Sequence, residues 1–143
     1  MWTITLTLSI VHFCYHQLIT NFDLYPLNNI RSYTPPQKFT ESGLHAMIFG
    51  FTIIALYFHN YSLTGLAVIG QGLLLIDEFL SWWRYYFFGM GNQRKFMYER
   101  IYKNTLQILP PIKDHPKPNL ELCILHVTTL FCFASTLWLL FAS

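Results

Sequence analysis

The chain has 143 residues, 53% of them hydrophobic, 18% aromatic and only 11% charged, with a formal net charge of +2. Soluble domains carry about 25% charged residues, so this composition argues against a soluble globular protein and for one integral membrane domain over residues 1–143. No phosphate-cradling glycine loop, CxxC pair, nucleophile elbow or repeated histidine box occurs in the sequence, which leaves the familiar nucleotide, thiol-redox, serine-hydrolase and desaturase signatures unsupported.

In chain order, Met1 to Asn21 is uncharged and close to the roughly 20 residues that cross a hydrocarbon core of about 30 Å. It has no Lys or Arg ahead of it and no small-residue cleavage pattern behind it, so it reads as a first span over about 2–20 rather than a signal peptide. His12 and His16 sit at i and i+4 on one face. The following NFDLYPLNNIRSYTPPQKF carries Asp23, Asn28, Asn29 and Arg31, which suit turns and could also line the mouth of a polar site.

The second span is expected over about 42–59, with Thr40 and Glu41 as its cap and His45 near its start. Asn60-Tyr61-Ser62 matches a glycosylation sequon, but its place in a tight turn against the bilayer argues for coincidence. The third span, about 62–83, contains LAVIGQGLLLIDEFLSWWRYYFFG, in which Asp77 and Glu78 interrupt an apolar run. Neither acid is expected to face lipid, since a charge near the bilayer centre costs about 2.5–3.5 kcal/mol even on insertion scales. Adjacent helical residues diverge by about 100°. Glu78 shares its face with Gln71, whereas Asp77 aligns with Ser81 and Arg84. Gly65, Gly70 and Gly72 permit close helix contact without forming GxxxG. Trp82, Trp83, Tyr85 and Tyr86 suit a membrane interface, from which Arg84 can snorkel to water.

NQRKFMYERIYKNTLQIL places Met97, Tyr98, Ile101, Tyr102, Ile108 and Leu109 to one side, the pattern of an amphipathic helix lying in the interface between spans three and four. PPIKDHPKPN then returns the chain in a proline-stiffened form, with His115 as a loop residue. The fourth span is expected over about 120–141, capped by Asn119, with Glu121 at its start and His126 two turns in. Every proline lies outside the four spans, as its cost of about 3 kcal/mol in a helix interior requires. Cys14, Cys123 and Cys132 lie within spans without metal-type spacing and read as small apolar residues.

All nine Lys and Arg residues fall between spans one and two (Arg31, Lys38) or from Arg84 to Lys117. The positive-inside rule then puts 21–41 and 84–119 on the cytoplasmic side and both termini opposite. Their basic charge is explained by this topology and by anionic headgroups, with no need for nucleic acid. The fold expected is all-α: an antiparallel four-helix transmembrane bundle with one interfacial helix.

That topology gathers His12, His16, His45, Asp77, Glu78, Glu121 and His126 into one layer near the cytoplasmic face. His12, His16, His126 and Glu78 are candidate ligands of a divalent metal, and Glu78, Asp77 and His126 candidate acids and bases. His45, Glu121 and Arg84 complete the polar set. A haem clamped by His45 and His126 is the weaker cofactor alternative. Two functions remain open: a small membrane enzyme, metal-dependent or acid/base, acting on a lipid-soluble substrate; and a non-enzymatic oligomeric channel or accessory subunit of a larger membrane complex. The partners implied are the bilayer, and a second copy or a membrane complex. An internal site requires the polar residues of the spans to face one another.

Overall fold

The computed structural model describes residues 1–142, apart from the side chains of residues 92–94 and 97. The described residues are all-helical, without a strand. The helices are α1 (Trp2–Asn21), α2 (Pro35–Tyr57), α3 (Tyr61–Glu78), α4 (Arg84–Phe88), α5 (Asn92–Ile101) and α6 (Leu120–Phe141). A widened π turn, Phe79–Trp83, joins α3 to α4 without a break, so that Tyr61–Phe88 is one run of 28 residues. That run, α2 and α6 are long and apolar enough to cross a membrane. α1 has 20 residues but is interrupted by threonine, serine, histidine and glutamine, and is not among those three.

α1 packs against α2 and α6, and α3 packs against the same two, closing a cycle of four long helices. Small residues let them approach: a Cβ on Gly70 would lie 3.4 Å from the Ile48 side chain, and one on Gly72 3.4 Å from the Phe133 ring. The distribution of polarity is the inverse of a soluble protein's. Outward residues such as Ile4, Val11, Met47, Ile54, Leu66, Ile69, Leu73, Leu130 and Phe131 are exposed, while Thr5, Ser9, Thr52, Thr64, Gln71, Thr129 and Thr136 are fully buried. This is the distribution that suits a lipid surrounding, which offers no hydrogen bonds to outward polar groups. Most of the inward hydroxyls bond their own helix backbone, as Thr52 does to Ile48 O at 2.9 Å and Thr136 to Cys132 O at 2.7 Å. Phe49, Leu74 and Cys132 form an apolar core within this interior.

Two local expectations change. α2 starts at Pro35 rather than after Thr40: Thr34 is its cap, Gln37 Oε1 accepts from Thr34 N at 2.9 Å, and Pro35 and Pro36 occupy the first turn, where a missing N–H costs nothing. Thr40 and Glu41 are therefore interior residues of α2. The helix expected through Leu109 stops at Ile101. Its backbone is claimed elsewhere: Leu106 N donates to Pro26 O in the first connection at 2.9 Å, and Leu106 O accepts from Leu120 N, the first residue of α6, at 2.7 Å.

Further ties bind the same two connections. Asn29 Nδ2 donates to Ile101 O at 3.0 Å, Asn119 Nδ2 to Leu27 O at 3.3 Å and Arg100 Nη2 to Ser32 O at 3.3 Å. The Tyr33 and Tyr102 hydroxyls also meet. Ile101, Tyr102 and Leu122 form a second apolar cluster beneath this roof. At Gly89 (φ +85°) the chain leaves α4 in a conformation that favours glycine, with the His115 ring packed 3.1 Å from where a Cβ would stand. His115 Nδ1 donates to Tyr86 O at 3.0 Å, so that histidine fastens a loop.

Candidate functional site

Helix register brings histidines of α1 and α2 together. Gln17 Nε2 donates to Ser42 O at 3.1 Å and Ser42 Oγ donates to Gln17 Oε1 at 2.7 Å, fixing the height of the one helix against the other. One residue back, and about one turn further along α2, the imidazoles of His16 and His45 lie stacked, with ring centres 3.7 Å apart and planes 12° from parallel. Glu41, one turn before His45 on the same face, completes a group. Ligand atoms of His16, Glu41 and His45 all lie within 4.8 Å of one another.

The orientation of His45 suits a ligand. Its Nδ1 donates to the Glu41 carbonyl at 3.3 Å, which leaves the lone pair on Nε2, and that nitrogen is buried without a hydrogen-bond partner among the described residues. A backbone carbonyl holding the far ring nitrogen is the usual support of a metal-binding histidine. His16 and Glu41 line a cavity of about 600 Å³ that also touches Tyr33, Trp82, Tyr102 and Glu121. His16 and His45 are buried, whereas Glu41 is exposed at the rim.

The remaining expected site residues divide by environment. His12 is buried beside the Phe49 ring, at 4.0 Å between centres. The Thr128 hydroxyl already donates to backbone carbonyls of its own helix, so it accepts from His12 Nδ1 at 2.8 Å. His12 Nε2 is then a bare, buried acceptor. His126 accepts from the Trp83 indole N–H at Nδ1, 3.0 Å away. Glu78 is buried, its Oε1 accepting from Thr129 at 2.7 Å and its Oε2 lacking a partner among the described residues.

The adjacent acids, neither of them expected to face lipid, part company in burial. Glu78 faces inward, whereas Asp77 is exposed on the outer surface, its Oδ1 accepting from Ser81 at 3.4 Å. The reason is the angle of about 100° between successive residues: with Gln71 and Glu78 turned in, Asp77 cannot be. Glu121 is buried at the cavity wall and accepts from Asn119 Nδ2 at 3.4 Å. Arg84 stands apart from the cluster; its Nη2 donates to Tyr85 OH at 3.0 Å and its guanidinium lies 4.8 Å from the Tyr85 ring centre.

His12, His16, His126 and Glu78 are not gathered into one ligand set. Among the described residues the group close enough to share an ion is His16, Glu41 and His45. His45 and His126, the pair considered for haem, are engaged separately, with His16 and with Trp83. Sequence reasoning missed Glu41 because it was taken for a helix cap. The pattern Thr34-Pro35-Pro36-Gln37 would have moved the start of α2 back and set Glu41 and His45 at i and i+4.

No family model, curated protein or solved structure matches this chain. Its function is therefore argued from its own side chains.

Proposed function

We propose that the chain is a four-span membrane protein with a divalent-metal centre at His16, Glu41 and His45, acting as a small membrane enzyme on a lipid-soluble substrate. The observation that carries this reading is the convergence of two imidazoles and a carboxylate within 4.8 Å of one another, with His16 and Glu41 lining a cavity of about 600 Å³. Three protein ligands with an open fourth position are the arrangement of catalytic zinc sites, where a bound water becomes a nucleophile near neutral pH.

The four-span reading assigns α1 to the membrane as well. Its polar residues Thr5, Ser9, His12, His16 and Thr20 are turned inward, and Ile4, Val11 and Leu18 are exposed outward, so its low apolar content measures its inner face rather than the face lipid would meet. The basic residues of connections 21–41 and 84–119 support a cytoplasmic side for both, with the cavity among them and α5 along the interface.

The test is a cobalt(II) titration of the full chain in detergent, followed by visible absorption. One equivalent of cobalt is expected to bind with the ligand-field bands of a low-coordinate nitrogen and oxygen site. His45→Ala and Glu41→Gln should abolish it and His12→Ala should retain it. Absence of stoichiometric binding by the folded wild type, or loss in His12→Ala but not in His45→Ala, would overturn the assignment.

A second reading, a subunit of an oligomer or larger complex, is favoured by Asp77, an exposed acid within the 28-residue run. Exposed carboxylates at such depth are costly without a partner. If it pairs across copies, Asp77→Asn shifts the oligomer mass in light scattering; an unchanged mass removes this support.

A further inference from the structure

Where the 28-residue run ends, α4, the start of α5 and the loop before α6 enclose a pocket of about 530 Å³, with Arg84, Phe88, Met90, Lys95, Asp114 and His115 in its walls. These walls are fastened to one another. His115 Nδ1 donates to Tyr86 O at 3.0 Å, which holds the loop against α4, and Lys95 Nζ pairs with Asp114 Oδ2 at 3.1 Å, which holds it against α5. The turn at Gly89, with φ +85°, leaves room for the His115 ring between them.

The pocket is rich in donors and net basic. Arg84 keeps its charge in any protein environment. It gives one of its five N–H groups to Tyr85 OH at 3.0 Å, and the other four meet no acceptor among the described residues. Lys95 has three donors and gives one to Asp114. Asp114 is the one acid among the described wall residues, and its side chain is 82% exposed, so water screens it. Gly91, the N-cap of α5, also lines the pocket and has no side chain to cap the helix. The first bond within α5 runs from Lys95 N to Gly91 O at 3.1 Å, and the N–H groups that precede it lie at the positive end of the helix.

We propose that this pocket binds the phosphate of an anionic glycerophospholipid headgroup, with Arg84 and Lys95 as its charged donors. Guanidinium, ammonium and helix-start N–H groups are the donors that phosphate oxygens take. The surroundings favour a lipid over a soluble phosphate. Phe87 and Phe88 are exposed beside the pocket, and Arg84 stands near the end of an apolar helix long enough to cross a membrane, where its side chain reaches headgroups. A zwitterionic choline headgroup would bring its own cation toward Arg84 and Lys95, so an anionic one is preferred. This inference rests on the membrane reading of the 28-residue run and is independent of the metal centre, which uses other side chains.

The experiment is native mass spectrometry of the full chain, delipidated in detergent and titrated with phosphatidylglycerol or phosphatidylcholine of the same acyl chains. Phosphatidylglycerol is expected to bind about tenfold tighter, the scale of one charge-assisted hydrogen bond. Arg84→Gln should remove that preference. Asp114→Asn frees Lys95 and should strengthen it about two- to fivefold, the scale of an exposed charge pair, a gain that a misfolded chain would not show. Lys103→Gln, at an exposed residue outside the pocket, should leave it unchanged. Equal binding of the two lipids by the wild type, equal losses in Arg84→Gln and Lys103→Gln, or no gain in Asp114→Asn would each overturn the proposal. Displacement of phosphatidylglycerol by equimolar glycerophosphoglycerol, its headgroup without chains, would assign the pocket to a soluble phosphate and overturn the lipid.

Discussion

His16 and His45 stack face to face at 3.7 Å between ring centres, with planes 12° from parallel, across the contact between α1 and α2. Two imidazolium ions could not share that separation in an apolar interior, because like charges so close in low dielectric repel strongly. The stack therefore requires neutral rings or a shared cation. His45, with Nδ1 donating to the Glu41 carbonyl and Nε2 left free, has the tautomer that a metal needs.

Asn28 ties the start of the first connection to the end of α1. Its Nδ2 donates to Ile19 O at 2.6 Å and Phe22 O at 2.8 Å, and its Oδ1 accepts from Leu24 N at 2.8 Å. It is 2% exposed, so Asn28→Ala leaves these backbone groups without their partner. The expected loss is about 2–3 kcal/mol, from unsatisfied buried groups at a helix end. Chemical denaturation in mixed micelles measures it, with Asn21→Ala at the exposed surface as a control expected to change by about 0.5 kcal/mol or less.

Gln71 is fully buried, its Nε2 donating to Thr52 Oγ1 at 3.2 Å and approaching Thr136 Oγ1 at 3.5 Å. Both hydroxyls already donate to their own helix carbonyls, and Gln71 Oε1 has no partner among the described residues. Gln71→Leu therefore removes an unpaired acceptor while leaving few groups orphaned. Interhelical hydrogen bonds in membranes average only about 0.6 kcal/mol, so stability should change by about 1 kcal/mol or less and can rise. A thermal melt in detergent decides this; a loss of several kcal/mol would mean that the interior depends on this amide.

The first and third connections are joined at Tyr33 and Tyr102. Burial pushes the Tyr102 phenol well above its ordinary value, with Tyr33 beside it adding to the effect, and Tyr33 is raised as well, chiefly by burial. A raised folded value means that the folded state holds its proton where the unfolded chain releases it. The stability these neutral phenols contribute is intact below the ordinary tyrosine value of about 10 and is lost as pH rises beyond it. Alkaline titration at 295 nm should show a late ionisation step that coincides with unfolding. Tyr102→Phe should diminish that step and move unfolding to higher pH; an unchanged profile would contradict the assignment.

Much of the arrangement was legible in spacing. On α3, Thr64, Gln71 and Glu78 recur at two-turn intervals, which sets Glu78 inside, whereas the exposure of Asp77 was not read from the sequence. The stripe Thr5, Ser9, His12, His16 and Thr20 on α1 likewise marks a single inward face. Pairing between helices was not legible. His12 and His16 share a face, which suggested one common ion, but a rise of about 6 Å over four residues lets each meet a different neighbour: Thr128 for His12 and His45 for His16. The end of α5 was also hidden, since Tyr102 to Leu106 carries helix-compatible residues and is diverted only by hydrogen bonds to the distant Pro26 connection.

The most direct test of the metal centre is X-ray absorption at the zinc edge of the full chain loaded with one equivalent of zinc. The arrangement predicts two imidazole nitrogens and carboxylate or water oxygen at about 2.0–2.2 Å, with this imidazole-bound zinc signal lost in His45→Ala. A spectrum with no imidazole contribution, or one unchanged by His45→Ala, would contradict a centre built from His16, Glu41 and His45.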